Sequence, residues 1–283
     1  MISRITTYLS FVRFSHSVFA LPFALTGALL AAREHPVTWA HVMWIVVAMV
    51  AARSAAMGFN RLVDAAYDAE NPRTSMRELP RGIMSRREAS AFVLVWSTVF
   101  VFASWMLSPL CGALSPVALA IVFWYSLAKR YTHYTQAFLG LAMAVAPVGG
   151  WIAAGGRGGW EPWLLGAAIG LWVGGFDVLY ACQDLSYDRA QGLRSIPVRY
   201  GIPRSLLISR AMHVGAVACM AALAFIVPLG PIYLAGVAIV AALLIYEQSL
   251  VSAEDLSQVK RAFDLNGYVG ILYFLTTAAA VFM

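Results

Sequence analysis

A chain of 283 residues with 61% apolar and only 12% charged positions, at a mean hydropathy of +0.73, cannot cover a water-soluble globule, which carries about 25% charged residues. The same scarcity of charge excludes a disordered chain. Cys111, Cys182 and Cys219 lie far apart in apolar stretches and spell neither a disulfide framework nor a zinc site. The composition is that of an integral membrane protein.

About 20 apolar residues span a bilayer as a helix, so charge-free stretches mark the crossings. Phe14–Ala32 and His35–Ala52 come first. Arg13 and the lack of a clean small-residue cleavage site argue against a signal peptide at the start. Ala89–Leu107 follows, opened by Ser85-Arg-Arg-Glu88, which reads as a capping box. Leu110–Ala128 is parted from it by Ser108-Pro109, and Tyr131–Gly156 comes next. Pro162–Phe176 runs into a polar end. Ala211–Tyr246 is too long for one span, and Pro228-Leu-Gly-Pro231 divides it into two helices. Ala262–Met283, with a single Asp264, closes the chain. The spacing predicts an all-α polytopic membrane protein with nine transmembrane helices in one bundle. It forms one domain over 1–283, with motif-bearing halves of roughly 1–130 and 131–283.

Nine crossings with the N-terminus in the cytoplasm leave only Arg33 and Arg157, of 20 Lys and Arg, on the far side. That asymmetry follows the positive-inside rule. It puts the C-terminus outside and explains a net charge of +6 without any nucleic acid.

The acids are less easily explained. Four of the seven aspartates form two pairs, Asp64/Asp68 and Asp184/Asp188, at the cytoplasmic ends of the second and sixth helices. Residues four apart share a helix face, and like charges there repel, so a cation is expected between them. Asp64-Ala-Ala-Tyr-Asp68 and Asp184-Leu-Ser-Tyr187-Asp188 repeat one pattern, each followed by a basic, proline-containing loop. This suggests two related halves, a weak internal repeat of the kind membrane folds show. Asn60 lies four residues before Asp64 and Arg53 seven before Asn60 on the same stripe; Asp177 lies seven before Asp184. Tyr125 and Lys129 make a further pair on the fourth helix, and Arg13 adds a cation from the first.

Carboxylates alone suit a divalent cation, and Arg53 with Lys129 alone suit an anion. Together they suit a Mg²⁺-bridged diphosphate, because Mg²⁺ is held by one or two carboxylates plus phosphate oxygens while Arg and Lys neutralise the rest. A diphosphate at the lip of an apolar bundle implies a lipid tail inside it: a polyprenyl diphosphate. A solvated helix end would account for one acidic pair, though poorly for a repeated one. Lys129-Arg130 also reads as a topology anchor. Arg53 is harder to dismiss, since a charge inside a span costs several kcal/mol on most estimates. A secondary transporter would share repeats and intramembrane charges, but with its site near the midplane.

Asn60-Arg-Leu-Val-Asp64-Ala-Ala-Tyr-Asp68, Asp184-Leu-Ser-Tyr187-Asp188 and the nine helices resemble the UbiA superfamily of intramembrane aromatic prenyltransferases over essentially the whole chain. Arg61 stands where that family's first motif has an aspartate. Arg13-Phe-Ser-His16-Ser-Val-Phe-Ala-Leu-Pro, Asn71-Pro-Arg73-Thr74 and Arg77–Gly82 resemble its 4-hydroxybenzoate-type polyprenyltransferases, closest to the futalosine-route menaquinone branch. The resemblance implies two Mg²⁺ ions, one on Asn60, Asp64 and Asp68 and one on Asp184 and Asp188. It also implies that Arg53 and Lys129 hold the diphosphate, with Tyr125 near the allylic carbon. Arg13, Arg73 and Tyr187 join the substrate-binding set. His16 either meets an acceptor carboxylate or is a hydrogen-bonded intramembrane histidine. The implied reaction, in ubiquinone or menaquinone biosynthesis in the bacterial inner membrane, joins a polyprenyl group to a hydroxylated aromatic acid, 4-hydroxybenzoate or 1,4-dihydroxy-6-naphthoate. Another acceptor within the superfamily is the neighbouring alternative. A carboxylate or the released diphosphate serves as base.

Overall fold

The computed structural model describes residues 7–8, 10–12, 21–34, 36–72 and 74–283. Its regular elements are all helical among the described residues: α1 (Leu21–Ala31), α2 (Trp39–Glu70), α3 (Arg86–Leu107), α4 (Pro109–Tyr131), α5 (Thr135–Ala153), α6 (Glu161–Ala181), a 3₁₀ turn (Cys182–Asp184), α7 (Leu185–Ala190), α8 (Ile196–Ile226), α9 (Gly230–Ser249) and α10 (Val259–Phe282). Among the described residues, eight helical segments are long and apolar enough to cross a membrane, with Glu161–Ala190 counted as one. The first expected span keeps only the 11 residues of α1 as described helix; its start lies outside the described residues. This is a multi-span membrane protein.

The breaks follow local chemistry. Ser85 caps α3: its hydroxyl accepts from the Glu88 amide at 3.2 Å, and its own amide donates to the Glu88 carboxylate at 2.8 Å, the reciprocal box expected there. α3 stops at Leu107 before Ser108-Pro109, and α8 stops at Ile226 before the Pro228–Pro231 turn. Inside α8, Gly201 sits at φ 75°, where a side chain is strained. The run is therefore a short turn from Ile196 and a longer helix after Pro203. At α6 the sequence expectation needs correcting. Asp184 and Asp188 do not share one uninterrupted helix: α6 ends at Ala181, Asp184 closes the 3₁₀ turn and Asp188 lies on α7.

The chain forms two compact units. The first comprises the described residues of 1–21 and 39–127 and holds α2, α3 and most of α4. Gly58 of α2 admits Phe92 and Val93 of α3, which a methyl group there would meet at 3.0–3.1 Å. Trp44 and Phe102 meet edge to face at 5.8 Å, and Phe59 stacks on Phe123 of α4 at 4.5 Å. Near the α3 start, Phe11, Val12, Met84 and Ala89 make a small apolar core.

The second unit comprises 22–38 and 128–283, and α6 is its most buried span. Lipid tails are as apolar as leucine, so membrane helices are held by close packing and internal hydrogen bonds. Both are present. Gly140 of α5 backs onto the Gly170 carbonyl of α6, and Gly27 of α1 onto the Pro147 carbonyl of α5; a methyl group at either glycine would overlap that oxygen. Trp172 Nε1 donates to Asn266 Oδ1 at 2.6 Å, and the Tyr233 and Tyr273 hydroxyls pair at 2.8 Å.

Candidate active site

The first acidic pair stands on the last turns of α2. At 1.5 Å per residue its 32 residues run for about 48 Å, well beyond the ~30 Å hydrocarbon layer. Asn60, Asp64 and Asp68 climb one stripe of it. Asn60 Nδ2 donates to Asp64 Oδ2 at 3.3 Å, and Asp64 and Asp68 are only 4% and 6% exposed. A solvated helix end is thereby excluded for this pair. Further down the stripe, Arg53 lies within electrostatic reach of Tyr125 on α4. The Arg53 Nε is buried with no hydrogen-bond partner among the described residues.

Arg77 is paired with Asp68. Its Nη1 donates to both Asp68 oxygens, at 2.7 and 2.8 Å. The loop that delivers it is closed by Thr74, whose hydroxyl donates to the Asp68 carbonyl at 3.1 Å. From the sequence Arg77 is one of the basic loop charges after the first motif; the signal for its pairing with Asp68 was a basic residue nine positions after a paired acid. Arg61, which follows Asn60, is buried, and its Nε donates to the Phe11 carbonyl at 3.4 Å.

The second pair belongs to the other unit. Asp177 lies within electrostatic reach of both Asp184 and Asp188, although a helix break separates it from them. Ser195 Oγ donates to Asp188 Oδ2 at 3.2 Å, and Leu193 N donates to the Asp188 carbonyl at 2.8 Å. The chain then folds back to the end of α4: Arg194 N donates to the Lys129 carbonyl at 2.8 Å and Arg194 Nη1 to the Tyr131 carbonyl at 2.6 Å. Lys129 is thus tied through backbone to the segment that follows Asp188. Tyr187 is half-buried on α7. Arg13, His16 and Arg73 lie outside the described residues.

Among the described residues no group of three His, Cys, Asp or Glu side chains forms a closed cage for a metal. Zinc prefers such cages. Mg²⁺ does not: it takes one or two carboxylates and completes its shell with water and phosphate oxygens. Carboxylate pairs with an adjoining amide fit that ion.

A model of the UbiA prenyltransferase family matches residues 20–276. The chain belongs to that family. It is a UbiA-type prenyltransferase of the membrane. It is 31% identical over 245 residues to the 4-hydroxybenzoate octaprenyltransferase of Vibrio parahaemolyticus, covering 87% of this chain and 86% of the relative. It is 30% identical over 240 residues to that of Citrobacter koseri, covering 83% of each. Among solved structures it resembles a UbiA homolog from Aeropyrum pernix K1, with TM-score 0.85, 36% identity and 93% and 96% of the two chains covered. A UbiA homolog from Archaeoglobus fulgidus bound to GPP and Mg²⁺ shares the fold at TM-score 0.77 and 18% identity, over 98% of this chain and 100% of that one.

Proposed function

We propose that this UbiA-family enzyme transfers a polyprenyl group from polyprenyl diphosphate to a hydroxylated aromatic acid, 4-hydroxybenzoate or 1,4-dihydroxy-6-naphthoate, on the way to ubiquinone or menaquinone. The observation that carries the reading is the Asn60–Asp64–Asp68 ladder, its two carboxylates buried, at the end of a helix too long for the bilayer. It is supported by the relatives named for 4-hydroxybenzoate octaprenyl transfer and by the A. fulgidus homolog bound to GPP and Mg²⁺.

In this reading the chemistry lies on the cytoplasmic face of the inner membrane, with the N-terminus inside. Asn60, Asp64 and Asp68 would hold one Mg²⁺, and Asp184 and Asp188 a second. When bound, the ions neutralise the diphosphate and improve it as a leaving group. Arg53 and Lys129 neutralise further phosphate charge, with Arg13, Arg73 and Tyr187 contributing to substrate binding. The allylic C–O bond breaks and its electron pair leaves with diphosphate. Tyr125 presents a ring face to the allylic cation, and the apolar spans keep water from it. An electron-rich ring carbon of the acceptor then forms the new C–C bond. Its proton passes to a carboxylate or to the released diphosphate. His16 meets the acceptor carboxylate.

The test is to incubate detergent-purified protein with one prenyl diphosphate and each acid in turn, following prenylated product and diphosphate. Mg²⁺-dependent product with one of the acids is expected. Absence of product with both acids, from folded protein, overturns the reading.

A further inference from the structure

Arg77 does more than balance charge. A single guanidinium nitrogen stands 2.7 and 2.8 Å from the two oxygens of Asp68, the place on a carboxylate that a small cation takes. The guanidinium is held there by its loop. Arg77 N donates to the Thr74 carbonyl at 3.0 Å, Arg81 N to the Arg77 carbonyl at 3.1 Å, and Thr74 is bonded to Asp68 itself. Leu79 and Met84, later in the loop, pack with Phe11, Val12 and Ala89, and the Ser10 hydroxyl donates to Glu78 Oε1 at 2.6 Å. The Arg77 Nε is buried with no hydrogen-bond partner among the described residues, so the side chain carries an unused donor beside the carboxylate. That donor suits an oxyanion.

We propose that Arg77 gates the first metal position: a divalent cation and the guanidinium compete for Asp68, and a diphosphate resolves the competition by taking the guanidinium as the metal takes the carboxylate. Metal and diphosphate then bind as a coupled pair, and metal alone is disfavoured. The inference rests on the prenyl diphosphate reading above. Arg77 acts here as a positioning residue, through Asp68.

The experiment measures Mn²⁺ binding to the full-length protein in detergent, by the resonance signal of the free ion, with and without inorganic pyrophosphate. Protein-free Mn²⁺–pyrophosphate mixtures are the control. Wild type is expected to bind Mn²⁺ weakly alone and more tightly with pyrophosphate. Arg77→Gln is expected to tighten Mn²⁺ binding alone by on the order of tenfold, the scale of one charge-assisted hydrogen bond, and to lose most of the gain from pyrophosphate. Arg77→Lys keeps the charge without the fork and falls between. Unchanged or weaker Mn²⁺ binding in folded Arg77→Gln overturns the proposal; should that variant unfold, the same comparison with Arg77→Lys decides. Asp68→Asn separates the two readings. If it leaves Mn²⁺ binding intact with and without pyrophosphate, Asp68 takes no metal and its assignment falls, whereas a loss of Mn²⁺ binding in Asp68→Asn with an inert Arg77→Gln overturns the gate alone.

Discussion

The Ser195 hydroxyl has two tasks: it donates to Asp188 Oδ2 at 3.2 Å and accepts from the Val198 amide at 3.4 Å. It caps α8 and orients an acid of the second motif at once. Ser195→Ala should cost about 1 kcal/mol of stability, the usual worth of such a cap. It should also lower kcat/KM roughly tenfold by freeing the Asp188 carboxylate. Ser195→Thr, which keeps the hydroxyl, should recover most of both. Thermal unfolding and steady-state rates on the three proteins check this.

Asp64→Asn and Asp184→Asn should each lower prenyl transfer by about a hundredfold or more, since each removes a charge on which metal binding relies in the proposed function. Their unfolding midpoints should stay near wild type, because repulsion within each pair is relieved. Residual activity above a tenth of wild type in either variant would contradict the assigned roles.

Arg53→Ala should raise the KM for prenyl diphosphate more than it lowers kcat, the pattern of lost ground-state binding. The buried Nε then belongs to a phosphate contact. An unchanged KM would place the side chain outside the donor site.

The Gly140–Gly170 contact predicts that Gly140→Val drives α5 and α6 apart, costing about 1–3 kcal/mol or more. Gly149→Ala, where a methyl group meets nothing within 4 Å, should be neutral or stabilising by up to about 1 kcal/mol. Thermal aggregation of the two variants in one detergent tests the contrast.

Within the second unit, Trp172→Phe and Asn266→Leu should each destabilise, with a coupling of about 0.6 kcal/mol in a double-mutant cycle. That is the typical worth of an interhelical hydrogen bond in a membrane, and about 1.7 kcal/mol the upper end.

The spans were legible because hydropathy and proline punctuation act locally: Ser108-Pro109, Pro228–Pro231 and the Ser85 box break or start helices where expected. The Asn60–Asp64–Asp68 stripe was legible because one regular helix carries it. The 3₁₀ break at Cys182–Asp184 was not, since a four-residue spacing reads the same whether the helix continues or tightens. The partners of Asp68 and Asp188 also escaped. Arg77 and Ser195 reach them through loop conformation, which periodicity does not encode.

The length of α2 has a consequence for the surrounding lipid. Trp39, 87% exposed at its start, is the kind of residue that settles among headgroups, and Asp64 stands about 38 Å further along the axis. Thickening the membrane with longer acyl chains would draw the acidic ladder toward hydrocarbon or force the helix to tilt. Turnover in vesicles should therefore peak at an intermediate acyl length and fall as the chains grow, while solubilised protein shows no such dependence.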